Sequence, residues 1–351
     1  MCMRPYLLLA SLFLIASCQR KHNDSTAQGD AAKPVSEYFN YSEHGVKAGG
    51  VRMVEVETPK GKFKVWTKRI GNNPRIKVLL LHGGPALTHE YMECFESFLP
   101  KEGFEIYQYD QLGSYYSDQP TDSSLWTLDR FVEEVEQVRV ALGLNKDNFY
   151  LLGNSWGGIL GMEYALKYQQ HMKGLIVSNM TASFEKYGAY NATLRSQMRK
   201  GLVDTLSSYE KASKYTDPNY LDLVVNNYYA EHICRIPVAE WPEPLNRSFK
   251  HVNQTVYEIL QGPSEFVPGG RLVGWECWSR LKNLSVPTLM IGAKYDTMNP
   301  DEMEEMSKLV QHGTYLYCPT GSHLSMWDAQ SEYYPGIIRF IKEVDAGIGA
   351  K

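Results

Sequence analysis

The stretch FYLLGNSWGGILGMEYAL, residues 149–166, sets a serine among glycines, Gly153-Asn154-Ser155-Trp156-Gly157, after one apolar run and before another. A Gly-x-Ser-x-Gly pattern between a strand-like and a helix-like run is the form taken by a nucleophile held on a sharp turn. A serine hydroxyl is weakly nucleophilic at neutral pH, so it needs a base that takes its proton during attack and later returns it to the leaving group. Downstream the chain offers Asp296 in MIGAKYDTMNP and His323 in CPTGSHLSMW. In such a set His323 is the base, and Asp296 fixes the imidazole tautomer and stabilises the imidazolium. The tetrahedral intermediate also needs donors for its negative oxygen. VLLLHGGPA supplies the backbone N–H of Gly84, which can converge with that of Trp156 just past the serine. Taken singly, each feature has a plainer explanation: an incidental serine, a loop-capping aspartate, one of nine histidines, a tight glycine turn.

These residues need elements that bring them together. Apolar runs of strand length occur at 77–81, 105–109, 149–152, 174–178, 288–291 and 314–318, with helical stretches between them. Such alternation predicts a mostly parallel sheet with helices on both faces. Leu128, Phe131, Val132, Val135, Val138 and Leu142 fall at helical spacing and give one apolar face. Asn299, Pro300, Asp301 and Glu302 read as an N-cap, a first-turn proline and a reciprocating acid. Ser155, Asp296 and His323 then sit at strand C-terminal ends in the order serine, aspartate, histidine expected of an α/β-hydrolase. Between 183 and 283 the alternation lapses into a polar, tyrosine-rich, helical pattern broken by PVAEWPEP. That stretch is expected to be a helical cap inserted between two parts of the hydrolase core, 37–182 and 284–351.

Composition narrows the partners. With 351 residues, 43% hydrophobic and 22% charged, the chain can bury a full core. A net charge of −4 without a block of basic residues argues against nucleic acid and for a small substrate. The first 18 residues, MCMRPYLLLASLFLIASC, carry a basic residue and then an apolar run too short to span a bilayer. They read as a signal peptide whose IASC ending resembles a bacterial lipobox, with Cys18 as the lipidated residue; an ordinary signal peptide with an incidental cysteine is the alternative. Residues 19–36 read as a polar tether, giving a lipid-anchored location in the cell envelope. Cys94, Cys234, Cys277 and Cys318 show no metal-ligand spacing, and the sequence chooses neither among their three possible pairings nor for free thiols.

Together HGGPA, YDQLGSYYSDQP, GNSWGG, GAKYDTMNP and GSHLSMWD resemble the proline iminopeptidase family of serine α/β-hydrolases, over about residues 45–343. Two departures stand out: the family's HGGPG reads HGGPA, placing a Cβ at Ala86, and its frequent DQRG reads DQLG, with Leu112 in place of arginine. Asp110 is expected to tie its loop and not to carry protons. The resemblance further implies that cap glutamates at Glu231 in YYAEHICR and Glu265 in QGPSEF receive the substrate's free amine. A cation in a poorly solvated pocket requires such partners.

The expectation is an exopeptidase that removes an N-terminal residue, proline foremost, from small peptides by acyl-enzyme chemistry without metal or organic cofactor. A carboxylic-ester hydrolase on the same core remains a rival, since fold and triad do not separate amide from ester. A catalytically silent peptide-binding lipoprotein is the rival from another class. The related epoxide hydrolases and dehalogenases resemble this chain less, because they place an aspartate where Ser155 stands.

Overall fold

The computed structural model describes residues 48–348; Cys18 and the stretches expected to be a signal peptide and a tether lie outside them. The strands are β1 (Val51–Thr58), β2 (Gly61–Ile70), β3 (Lys77–Leu81), β4 (Glu105–Asp110), β5 (Phe149–Asn154), β6 (Gly174–Ser178), β7 (Thr288–Ala293) and β8 (Gly313–Cys318). They form one eight-stranded sheet in the order β1-β2-β4-β3-β5-β6-β7-β8. β1 and β2 pair antiparallel, β2 pairs antiparallel with β4, and every later pairing is parallel.

The main helices are α1 (Leu128–Ala141), α2 (Trp156–Tyr168), α3 (Phe184–Gln197), α4 (Lys200–Lys211), α5 (Pro218–Val224), α6 (Glu243–Lys250), α7 (Gln254–Leu260), α8 (Pro300–Leu309) and α9 (Gln330–Asp345). Because successive strand residues point to opposite faces, the central strands feed two separate cores. Leu79, Leu81, Leu151, Leu175 and Val177 join Phe131 and Val135 of α1 and Ile159 of α2 on one face. Val78, Leu80, Leu152, Ile176 and Leu289 join Phe95 and, from α9, Ile337 and Ile341 on the other. Strands buried on both faces read as continuous apolar runs, which is why they stood out in the sequence.

α8 begins where expected, with the Asn299 side chain accepting from the Asp301 N–H at 3.1 Å. The reciprocal bond from Glu302 is not made. Its carboxylate instead meets the Thr181 hydroxyl at 3.2 Å and the Lys186 ammonium at 3.4 Å, because those partners lie within reach across the fold.

Between β6 and β7 the chain contributes no strand to the sheet and builds α3 to α7, with a π-helical turn at Val225–Tyr229. This helical cap is fastened to the loops that follow β3 and β4. The Asn253 N–H donates to Ala86 O at 3.0 Å, and its side-chain amide donates to Gly113 O at 2.9 Å. Glu90, fully buried after β3, accepts from Arg247 at 2.9 Å, from His251 Nδ1 at 2.7 Å and from the Thr88 hydroxyl at 2.9 Å. Cys94, Cys234, Cys277 and Cys318 are free and buried. No helix among the described residues is long and apolar enough to cross a membrane.

Candidate active site

Ser155 follows β5 directly, with φ 56° and ψ −125°, and α2 starts at the next residue. A non-glycine residue in this conformation stores on the order of 1–3 kcal/mol, which the surroundings must hold in place. They do so by close approach. A Cβ on Gly153 would lie 1.9 Å from Gly157 O, and one on Gly157 would lie 2.1 Å from Leu81 O. Both glycines of the motif are therefore needed for the helix to pack so near β3 and β5. The Ser155 N–H is taken by Ser178 O at 3.1 Å, which ties the turn to the end of β6.

Asp296 and His323, 27 residues apart in sequence, meet in the loops after β7 and β8, with His323 Nδ1 2.7 Å from Asp296 Oδ1. That bond assigns the proton to Nδ1 and leaves Nε2 as the basic nitrogen. The second Asp296 oxygen accepts from Asn179 Nδ2 at 2.7 Å, and the same amide reaches Ser322 O at 3.2 Å. Asn179 stands just past β6 in a left-handed conformation, φ 55°. Burial pulls the His323 pKa down, but the charge and hydrogen bond of Asp296, followed by the charge of Glu265, outweigh it and leave the pKa raised. The His323 N–H donates to His232 O at 3.0 Å, and that of Leu324 donates to Ile233 O at 2.9 Å, so cap backbone braces the histidine loop.

The glycine loop after β3 is held from below. Burial lowers the His82 pKa to about 4, so the ring is neutral. Its Nδ1–H donates to Gly83 O at 2.9 Å, while Nε2 accepts from the Gln111 N–H at 3.1 Å. The Gln111 side chain donates to His82 O at 3.0 Å and accepts from Trp156 Nε1 at 2.8 Å, joining the loop to the first residue of α2. Tyr91 accepts from the Gly83 N–H at 2.7 Å and donates to Asn154 Oδ1 at 2.9 Å. The Trp156 N–H is the first of α2, ahead of those of Gly158 and Ile159, which donate to Ser155 O at 2.7 and 3.3 Å. Asp110 is fully buried and accepts from the His89 N–H at 2.8 Å and ring at 2.9 Å, a loop tie. The alanine that departs from the family's glycine, Ala86, has φ 58° and is buried.

A cavity of about 530 Å³ opens above these loops and is lined by Ser155, His323, Gly83, Gly84 and Glu265. Glu265 accepts from the Tyr257 hydroxyl at 2.8 Å on one oxygen and from the Tyr187 hydroxyl at 2.6 Å on the other. Burial first, and the Glu265 charge next, push both phenols well above their usual pKa, so both remain donors.

The second expected carboxylate is not brought into the cavity. Glu231 is half-exposed, pairs with Arg235 four residues on, and is absent from the cavity wall. Its ionic partner is itself seated over the Tyr295 ring, 3.5 Å from the centroid, which holds the pair on the outside. Of the two expected glutamates the structure thus places only Glu265 at the cavity wall, where two tyrosine hydroxyls hold its carboxylate.

Sequence reasoning also passed over the polar residues that orient the site. Asn154 ends buried strand β5 and Asn179 directly follows buried strand β6, where an amide has no packing purpose, and that placement is the signal that could have flagged them. Tyr187 and Tyr257 gave none, being two among 24 tyrosines.

A sequence model of the family described as alpha/beta hydrolase fold matches residues 77–330. The chain is 61% identical over 294 residues to a proline iminopeptidase of Flavobacterium johnsoniae, covering 84% of this chain and 98% of that relative. It is also 61% identical over 295 residues to one of Elizabethkingia meningoseptica, with the same coverage of each. The crystal structure of a proline iminopeptidase from Mycobacterium smegmatis superposes with a TM-score of 0.75 at 26% identity, covering 85% of this chain and 99% of that one. With the elbow serine, the aspartate-histidine pair and the capped cavity on one sheet edge, the chain belongs to the proline iminopeptidase family of α/β-hydrolases.

Proposed function

We propose that this protein is a serine exopeptidase that releases the N-terminal residue, proline foremost, from small peptides. The observation that carries the reading is Glu265, an anionic acceptor fixed by two phenol donors in the same cavity as Ser155 and His323. A prolyl ammonium has two N–H donors, and the carboxylate offers it charge-assisted hydrogen bonds. With the amine held there, the first carbonyl is the one presented to Ser155.

His323 Nε2 takes the proton of the Ser155 hydroxyl as its oxygen bonds to the carbonyl carbon, and Asp296 stabilises the imidazolium. The carbonyl electron pair moves to oxygen, where the N–H groups of Gly84 and Trp156 receive it. As the oxyanion collapses, the C–N bond breaks and His323 gives its proton to the departing nitrogen. Water, deprotonated by the same histidine, then releases the free amino acid and restores the serine.

A panel of chromogenic substrates tests this. Prolyl p-nitroanilide is expected to be cleaved best, alanyl p-nitroanilide more slowly, and N-acetylprolyl p-nitroanilide hardly at all. Equal turnover of the acetylated and free substrates, or activity confined to p-nitrophenyl esters, would replace the exopeptidase by a carboxylic-ester hydrolase.

We further propose that Cys18 carries a lipid that anchors the chain to the cell envelope, on the strength of the short apolar run ending in IASC and the polar stretch after it. Cys18→Ala is expected to shift the protein from the membrane to the soluble fraction and to abolish fatty-acid labelling. Unchanged labelling would end that reading.

A further inference from the structure

The hydrogen bond to Asp296 fixes the tautomer of His323, but where Nε2 stands depends on the backbone from which the ring hangs. That backbone lies in neither a strand nor a helix: residues 319–324 run between the end of β8 at Cys318 and a short helical turn, Ser325–Asp328. Catalytic groups must be held to within about 0.5 Å of their productive geometry, so other contacts have to fix this loop.

The shortest of them come from one stretch of the cap, residues 232–235. The N–H groups of His323 and Leu324 donate to its His232 and Ile233 carbonyls. Asp328 closes the contact at the other end. One of its carboxylate oxygens accepts from the Ser322 N–H at 3.1 Å; the other accepts from the Arg235 N–H at 2.9 Å and meets the Ser322 hydroxyl, which also lies 2.8 Å from Ile233 O. One acid therefore spans from the cap to the residue directly before the histidine. The same stretch reaches the loop of the triad acid, where His232 Nδ1 donates to Tyr295 O at 2.8 Å, next to Asp296. From beneath, Asn179 Nδ2 reaches Ser322 O at 3.2 Å and Asn154 Nδ2 reaches His323 O at 3.4 Å, both longer than the bonds to the cap carbonyls.

For stability alone a carboxylate is a poor choice at this place. Asp328 is partly buried, and Arg235 gives it a backbone N–H while the Arg235 guanidinium pairs with Glu231, so the charge is met by N–H and O–H dipoles. A charge so placed costs desolvation. What it supplies is an acceptor with two oxygens, able to hold two chain segments at once.

We propose that Asp328 is a positioning residue for the base: by clamping Ser322 to Arg235 it lets the cap stretch 232–235 set where His323 stands, so that the cap serves bond-making on every substrate. This rests on His323 as the base in the mechanism proposed above.

The test is the kinetics of Asp328→Asn, which keeps the shape of the side chain but loses one acceptor and the charge. Turnover is expected to fall roughly 10- to 100-fold, the scale for misplacing a catalytic group by about 1 Å. The loss should be equal on prolyl p-nitroanilide and p-nitrophenyl acetate, with KM for the former within roughly twofold of the parent. The pH profile supplies a readout that lost packing would not move. Burial lowers the His323 pKa, whereas Asp296, then Glu265 and then Asp328 raise it, so the acid limb of the variant should lie at lower pH than that of the parent. Ser322→Ala removes the hydroxyl between Asp328 and Ile233 O but keeps the N–H; it should show a smaller loss, again equal on both substrates, and its unchanged turnover would overturn the proposal should Asp328→Asn not fold. Undiminished turnover in a folded Asp328→Asn, a loss confined to prolyl p-nitroanilide, or an acid limb that stays in place would overturn it as well. His323→Ala is the reference: activity kept there would end the assignment of the base itself, whereas activity lost there and kept in Asp328→Asn would remove the clamp alone.

Discussion

The floor and the roof of the cavity are built on different principles. On the floor, Ser155, Asp296 and His323 stand at strand ends, and their supports are backbone atoms or short amides: Ser178 O for the serine, Asn179 for the aspartate, His232 O for the histidine. On the roof, Glu265 is placed by two long phenols from separate helices, and Glu231, elsewhere in the cap, is left on the outside. On the proposed reading, bond-making falls to groups fixed at strand ends, and substrate choice to groups whose positions depend on side-chain reach.

The floor gives the largest expected effect. Ser155→Ala should lower turnover on every substrate by about 10⁶-fold, the scale on which triad groups acting as a unit fail, while thermal unfolding stays close to that of the parent. Loss confined to prolyl substrates would break the division between floor and roof.

On the roof, Glu265→Gln should lower kcat/KM for prolyl p-nitroanilide by roughly 30-fold to several thousand-fold, the range for removing one partner of a desolvated charge pair (about 2–5 kcal/mol). Hydrolysis of p-nitrophenyl acetate, which has no amine, should be spared. Equal losses on both substrates would make Glu265 a support of the floor, for instance through its charge on His323.

The same contrast explains what the sequence disclosed. The strands at 77–81, 174–178 and their neighbours are apolar on both faces, and a nucleophile, acid and base at their C-terminal ends follow from hydrolase order. The hairpin of β1 and β2 is less legible, because GKFKVWTKRI interrupts its apolar residues with lysines near a sheet edge and forms no continuous apolar run. In the cap, the glutamate in YYAEHICR and that in QGPSEF look alike as letters. Only packing separates them: Arg235, four residues after Glu231, captures one, and tyrosines about 80 and eight residues before Glu265 collect the other. The network of His82, Gln111, Tyr91 and Asn154 likewise depends on contacts between loops far apart in sequence.

A smaller effect concerns pH. Because the His323 pKa is raised above its ordinary value of 6.5, the neutral base forms only at higher pH. The acid limb of kcat/KM for p-nitrophenyl acetate should then lie above pH 6.5. The linked contribution to stability has the corresponding sign: present in full below the unfolded value, lost as pH rises through the raised folded one. Asp296→Asn should bring the residual limb down, since the charge that raises it is gone. A limb at or below 6.5 in the parent would mean that burial, not Asp296, governs the histidine.

The smallest effect is expected at Glu231, and it is the sharpest test of the roof. Glu231 and Glu265 are the same residue type in the same segment, so a reading from sequence treats their substitutions as equivalent. The structure separates them by environment: the Glu231 side chain is 50% exposed, and its partner is Arg235. An exposed ion pair of this kind contributes about 0.2–1 kcal/mol to stability and is screened by salt. Glu231→Gln should therefore leave kcat/KM for prolyl p-nitroanilide within roughly twofold of the parent and move the unfolding midpoint by no more than such a pair accounts for. With the amine held at Glu265 as proposed, acetylating it should depress the rate equally in the parent and in this variant. A loss comparable to that of Glu265→Gln, absent on p-nitrophenyl acetate, would show that Glu231 releases Arg235 and swings to the amine when substrate binds, and the roof would then be a clamp of two carboxylates closed by its ligand.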